Sequence, residues 1–215
     1  MQNSTLFSSR TDAAKQLIEI LPLPQMKKEK WVILAVTRDG LDVAHYIAKK
    51  VQLEVNIILT EPITAPNNDE CEIARVSETE EIVIHERLVK QFSIQNDYIY
   101  GEAHRKHEEK ILSQVYRFRK GEKICELENK NVLLVDAGAS SGLLIQTAIK
   151  TVMALGVKHV RVAIPVMPLD LFESVSTQVD EIFSLYKLEY FTQTEQYFEK
   201  EESLNDDMIE KLLKY

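Results

Sequence analysis

Apolar residues in this chain gather into short unbroken runs, with amphipathic stretches between them. Trp31 to Val36 is one such run, the pattern of a strand buried on both faces. An amphipathic helix over Asp12 to Leu21 precedes it, capped by Thr11 or Asp12 and stopped at Pro22, with a polar loop from Pro22 to Lys30. After the run, Thr37 to Gly40 reads as a turn into a helix over Leu41 to Lys50, followed by a strand over Val55 to Leu59. That is one βαβ unit with a right-handed crossover. The rhythm returns at Val132 to Val135, a second buried strand ending in Asp136. A helix follows from about Gly142 to Leu155, with Gly156 as its C-terminal cap. Val160 to Ile164 is a strand stopped by Pro165, Leu169 to Thr177 a helix, and Ile182 to Tyr186 a further strand. Strands and helices alternating at this spacing predict one α/β domain over residues 1–215: a doubly wound, mostly parallel sheet with helices on both faces.

The middle, about residues 61–130, departs from that rhythm as an inserted excursion. It holds a Pro- and Asn-rich loop from Glu61 to Asp69, a strand over Glu81 to His85, and a long charged helix from Asp97 to about Arg119. A short surface helix, Asp206 to Lys214, begins at Asn205.

Composition narrows the class. At 45% hydrophobic and 28% charged residues the chain can build a core and is not disordered as a whole. Its net charge of −8 argues against nucleic acid and anionic membrane surfaces as partners. Two cysteines, Cys71 and Cys125, do not make a secreted disulfide scaffold. The first ten residues lack the apolar core of a signal peptide, and no run reaches the ~18 apolar residues of a membrane span. A soluble cytoplasmic protein is expected.

The segment Asn131 to Gly142 carries the most chemistry. An apolar strand ends in Asp136; a loop of small residues, Ala137, Gly138, Ala139, Ser140 and Ser141, leads into a helix at Gly142 and Leu143. Ligands of parallel sheets sit beyond the carboxyl ends of the strands. Small residues let backbone approach a phosphate, and the first N–H groups and dipole of a helix favour an anion. Ser140 and Ser141 add hydroxyl donors, and Asp136 can accept hydrogen bonds from the vicinal hydroxyls of a sugar. Spacing alone leaves a second reading open, an ordinary strand-to-helix turn with Ser141 as N-cap. The loop is neither a Walker sequence nor G-x-G-x-x-G.

This segment resembles the phosphoribosyl-diphosphate (PRPP) motif of type I phosphoribosyltransferases, and the resemblance extends over almost the whole chain toward a bacterial subgroup of that family. Arg10 to Ala13 resembles its opening helix, and Leu34 to Ala44 its Pro-Arg-Gly-Gly turn. Ala65 to Glu70 is similar to its Ala-Pro-Gly-Asn-Pro-Glu loop, and Val160 to Pro168 to its Val-x-Val-Ala-x-Pro-Val-x-Pro strand. The resemblance implies a glycosyltransferase of nucleotide metabolism. In such an enzyme a nitrogen nucleophile displaces pyrophosphate from the ribose of PRPP, with Mg²⁺ present only when PRPP is bound. Positioning and charge neutralisation do most of the catalytic work. Carried over by position, Gly138, Ala139, Ser140, Ser141, Gly142 and Leu143 would cradle the 5′-phosphate. Asp136 would be the catalytic-site residue, holding a ribose hydroxyl, and Arg38, Asp39 and Gly40 would lie on the pyrophosphate side. The implied partner is a small phosphorylated sugar or nucleotide, and a homodimer is compatible with the family.

The chain departs from the pattern where charge matters. Ala137 replaces the motif's second acid, Leu144 replaces a phosphate-binding Thr, Asp39 enters the Pro-Arg-Gly-Gly turn, and Glu61-Pro62 replaces an Arg-Lys pair. A like charge ~4 Å from an anion costs about 1 kcal/mol in water and several times that in a drier site. Each lost charge-assisted hydrogen bond costs a further ~1.5–3 kcal/mol. Two functions follow: a family member whose transferase activity is weakened, or a non-catalytic regulatory or binding module on the same fold. Outside the motif, His104 and His107 stand at i, i+3 in the charged helix and read as a solvated face rather than a metal site.

Overall fold

Ile33 and Leu133 lie side by side at the middle of a parallel sheet, and the remaining architecture is laid out from that pair. The structure, a computed structural model, describes residues 5–139, 142–200 and 204–213. In chain order the strands are β1 (Val32–Ala35), β2 (Val55–Ile57), β3 (Thr60–Ala65), β4 (Asn68–Ser77) and β5 (Ile82–Ile84). After the excursion come β6 (Asn131–Val135), β7 (His159–Ala163), β8 (Val166–Pro168), β9 (Glu181–Phe183) and β10 (Tyr186–Leu188). The main sheet runs β2-β1-β6-β7-β9 with every neighbouring pair parallel. The four expected core strands are therefore neighbours in one parallel sheet.

The helices are α1 (Arg10–Ile18), α2 (Leu23–Glu29), α3 (Arg38–Val51), α4 (Glu86–Gln91) and α5 (Asn96–Lys106). They continue as α6 (Leu112–Arg119), α7 (Gly142–Ala154), α8 (Leu169–Ser176) and α9 (Asp206–Leu213). Successive residues of a strand face opposite ways, and the core divides accordingly. Ile33, Ala35, Leu133 and Val135 pack with Leu17, Leu41 and Ile47 of α1 and α3. Leu34, Val132, Leu134 and Val162 pack with Ile145, Ile149 and Val152 of α7 and Val175 of α8. Both faces are covered, which is why β1 and β6 are continuous apolar runs rather than alternating ones.

Several boundaries differ from the sequence reading, each for a physical reason. Helix α1 starts two residues earlier, because Ser9 is the cap: its hydroxyl accepts the Asp12 N–H (3.1 Å) while the Asp12 carboxylate accepts the Ser8 N–H (3.0 Å). Pro22 to Lys30 is helix α2 and not a loop; Pro22 is the N-cap, Pro24 sits in the first turn where no N–H is needed, and Lys30 closes the helix at φ 51°. Glu61 to Asp69 is mostly strand. β3 and β4 form an antiparallel hairpin through Asn67 (φ 62°), joined by β5, and Pro62 is tolerated because β3 is an edge strand. The long charged helix is observed, with a π turn at His107–Ile111 between α5 and α6. Ile182 to Tyr186 divides into β9 in the main sheet and β10, which pairs parallel with β8 in a separate ribbon. No helix among the described residues is long and apolar enough to cross a membrane.

Candidate functional site

The carboxyl ends of β1, β6 and β7 meet above the centre of the sheet, and Thr37 ties the first two together. Its hydroxyl caps α3 by accepting the Gly40 N–H (2.8 Å) and donates to Asp136 Oδ1 (2.5 Å). Helix α3 therefore begins at Arg38, and Arg38, Asp39 and Gly40 form its first turn rather than a free loop. Gly40 is required here by close approach. A Cβ would lie 2.8 Å from both Asp136 Cα and Val135 O, backbone atoms that cannot swing away.

Asp136 is only 2% exposed. Beyond the Thr37 bond, its Oδ1 accepts the Ala137 N–H (2.8 Å). Burial pushes its pKa up to about 7 against the opposing pull of the Thr37 and Ala137 hydrogen bonds; the Asp39 carboxylate raises it further and Arg10 lowers it. The carboxylate read as a ribose ligand thus lies beneath the loop and braces the strand-to-helix junction. Among the described loop residues, Ala139 is buried, with its N–H 3.4 Å from Val166 O. Ser140 and Ser141 lie outside the described residues. Gly142 is the first residue of α7, so a 13-residue helix opens its N-terminus directly after the loop, with Leu143 buried behind it.

The C-terminal tail crosses the same loop. A short 3₁₀ turn, Thr194–Tyr197, places Thr194 over Gly138, where an added Cβ would meet Thr194 Cγ2 at 2.4 Å. The tail is held from behind: Leu6 and Phe7 donate N–H to Tyr197 O (3.0 Å each), and the Phe7 and Phe198 rings stack at 5.3 Å. Beside it opens a cavity of about 690 Å³ lined by Gly142, the Pro168–Leu171 segment, Glu173, Ser174, Glu189, Phe191 and Thr192. Among the described residues its wall holds three carboxylates, from Asp170, Glu173 and Glu189, and no Lys or Arg. These carboxylates make the wall away from Gly142 acidic.

On the opposite side, a cavity of about 220 Å³ lies between the ends of β1 and β2 and the excursion. Thr37, Arg38, Glu61, Arg75, Gln114, Phe118 and Leu144 are among its lining residues. Each charge there has a partner. Arg38 pairs with Asp206 and lies over the Phe118 ring, and Asp39 pairs with Arg10 at 2.9 Å. The Arg75 guanidinium makes a two-point contact with the Glu72 carboxylate and donates to Thr60 Oγ1 (3.0 Å), while Glu61 accepts from Gln114 Nε2 (2.6 Å). The Asp39 carboxylate at the start of α3 is therefore offset by Arg10.

The structure thus gathers Asp136, Gly138, Ala139, Gly142, Leu143 and the Arg38–Gly40 turn at the carboxyl ends of the interior strands β1 and β6. Sequence reasoning missed Thr37, Arg75, Gln114, Phe118 and Thr194. Only Thr37 carried a local signal, as a Thr before an apolar helix with Gly three places on. His104 and His107 separate: His104 is exposed, whereas His107 is buried with Nε2 3.2 Å from Glu78 O, so the second half of the expected solvated face is core. Among the described residues no group of three His, Cys, Asp or Glu is arranged to hold a metal. With Asp136 bonded inward and Ala137 in place of an acid, the residues present do not fit a protein-held Mg²⁺.

The parallel sheet, with helices on both faces and the Asp136 junction at its strand ends, defines an α/β protein of doubly wound kind. No family model matches the chain. A protein of Mycobacterium tuberculosis, found in two strains under the name "Putative phosphoribosyl transferase", is 25% identical over 180 residues, 84% of this chain. The chain spans 40% of the length of those relatives. The crystal structure of TT1426 from Thermus thermophilus matches with a TM-score of 0.77 and 25% identity, covering 96% of this chain and 97% of that one. The parallel sheet and these relatives support a type I phosphoribosyltransferase-like family for this protein.

Proposed function

We propose that the protein binds a ribose 5-phosphate group, as free sugar phosphate, PRPP or nucleotide, with its phosphate at the N-terminus of α7. The observation that carries this reading is the junction at Gly142. A helix opens there beyond the central strand of a parallel sheet, after a loop of small residues and at the border of the 690 Å³ cavity. The acidic wall of that cavity suits a nitrogenous base offering N–H groups, with the phosphate left at the loop.

Transferase activity on this reading is weak. Glu61-Pro62 takes an Arg-Lys pair's positive charge from the pyrophosphate side, Ala137 lacks the second acid of the resembled motif, and Asp136 is bonded to Thr37 and Ala137 rather than aimed outward. Mg²⁺ would accompany PRPP through the diphosphate oxygens, not through protein ligands. A non-catalytic binding or regulatory module is the second reading, and the seating of Thr194 over Gly138 favours it.

Calorimetry with ribose 5-phosphate, nucleoside monophosphates and PRPP plus Mg²⁺ tests the proposal. The expected result is that ribose 5-phosphate or a monophosphate binds at least as well as PRPP. Tight Mg²⁺-dependent PRPP binding with pyrophosphate release would instead establish an intact transferase. Failure of every one of these ligands to bind would leave the loop purely architectural.

A further inference from the structure

We infer that helix α9 supplies an internal anion to the diphosphate side of the site, the Asp206 carboxylate sitting between Arg38 and Arg117 where an external polyanion would bind. The inference rests on the reading above for its choice of ligand. Each carboxylate oxygen takes one guanidinium: Arg38 Nη1 bonds Oδ1, and Arg117 Nη1 bonds Oδ2 at 2.5 Å. Two guanidinium groups converging on two oxygens is the arrangement that recognises a phosphate or diphosphate edge.

The position of the pair links it to the site. Arg38 belongs to the α3 turn whose Gly40 touches Asp136, and its guanidinium lies 5.6 Å from the centre of the Phe118 ring. Arg38 and Phe118 both line the 220 Å³ cavity. Arg117 is also approached by Asp207 (3.6 Å) and Glu210 (3.4 Å) of the same helix, so α9 presents several carboxylates to these cations. The helix is anchored separately by Ile209, which is fully buried, and its first turn is capped by Asn205 Oδ1 accepting the Met208 N–H (3.0 Å). Its apolar side can thus stay seated while its acidic turn releases the arginines.

Half-exposed ion pairs of this kind are weak and screened by salt. Arg38 and Arg117 keep 46% and 47% of their side-chain surface exposed. A diphosphate carries more charge than one carboxylate and can displace it. The contact then acts as self-occupation: the cations stay paired to the chain's own acid until a polyanion arrives.

Inorganic pyrophosphate is the probe, titrated by calorimetry into the full chain and into Asp206→Asn and Asp207→Asn variants. Asp206→Asn should tighten pyrophosphate binding roughly three- to tenfold, the worth of its two half-exposed ion pairs. Asp207→Asn, which leaves the Arg38 contact intact, should stay within about twofold of wild type. In the unmodified chain, the side-chain carboxyl carbon resonance of Asp206 should shift when pyrophosphate is added, as its guanidinium partners leave. The inference is overturned if Asp206→Asn binds no tighter than wild type, if Asp207→Asn tightens binding equally, or if pyrophosphate leaves the Asp206 resonance unchanged. It is also overturned if neither chain binds pyrophosphate. A parallel titration with ribose 5-phosphate reports on the α7 loop, so loss of the latch and loss of the phosphate reading give different results.

Discussion

Replacing Asp136 by Asn probes the most perturbed group at the site. The side chain is buried and its pKa is raised from an ordinary value of 3.8 to about 7, chiefly by burial. In the unfolded chain the carboxyl ionises near pH 4, whereas in the folded chain it keeps its proton to about pH 7. Between those limits the folded state binds the extra proton, so stability is highest at the acid end and falls as pH rises. At ~1.4 kcal/mol per pH unit the interval is worth ~4 kcal/mol. Asn cannot ionise but can still accept from Thr37 and Ala137. Urea unfolding of both chains from pH 4.5 to 8 measures the effect, and taking the difference cancels the titration of all other groups. The wild type should lose several kcal/mol relative to Asp136→Asn by pH 7 and level off above it. A difference that stays constant across this range would refute a buried, proton-holding Asp136.

Three further substitutions test the packing around the site. Gly40→Ala should destabilise by ~1–3 kcal/mol in urea unfolding despite the better helix propensity of Ala, because its Cβ meets fixed backbone at 2.8 Å; an unchanged or raised stability would contradict that contact. Gly138→Ala should lift the Thr194 turn and make the tail sensitive to protease, and Gly138→Ala with Thr194→Gly should restore resistance; equal sensitivity of single and double variants would exclude the contact. Glu78→Gln leaves Arg119, 8% exposed, without its only acidic partner among the described residues, and should cost ~3–5 kcal/mol; a loss under ~1 kcal/mol would mean the pair is not buried.

The central sheet was legible because its signal is local. Trp31 to Val36 and Val132 to Val135 are apolar at every position, short and rich in Val, Ile and Leu, the pattern of a strand covered on both faces. The loop after Asp136 was legible for the same reason, as small residues between a strand and a helix. Pro22 and Pro24 misled because proline breaks a helix interior yet suits its first turn, and the flanking residues do not distinguish the two cases. Pro62 and Pro66 hid a hairpin in the same way, one on an edge strand and one beside the turn. The environment of Asp136 was out of reach, because Thr37 lies 99 residues away along the chain and the Arg38–Asp206 pair spans 168. Nothing near Gly138 announces that Thr194 will lie on it. Residue types revealed what could bind; only the fold showed which carboxylates are already engaged.

The direct test of phosphate recognition at α7 is amide mapping by NMR during titration with ribose 5-phosphate. Saturable shifts concentrated at Gly138, Ala139, Gly142 and Leu143, with smaller ones at Thr194 as the tail adjusts, are the predicted result. Shifts confined to other surfaces, or none at millimolar ligand, would contradict the account.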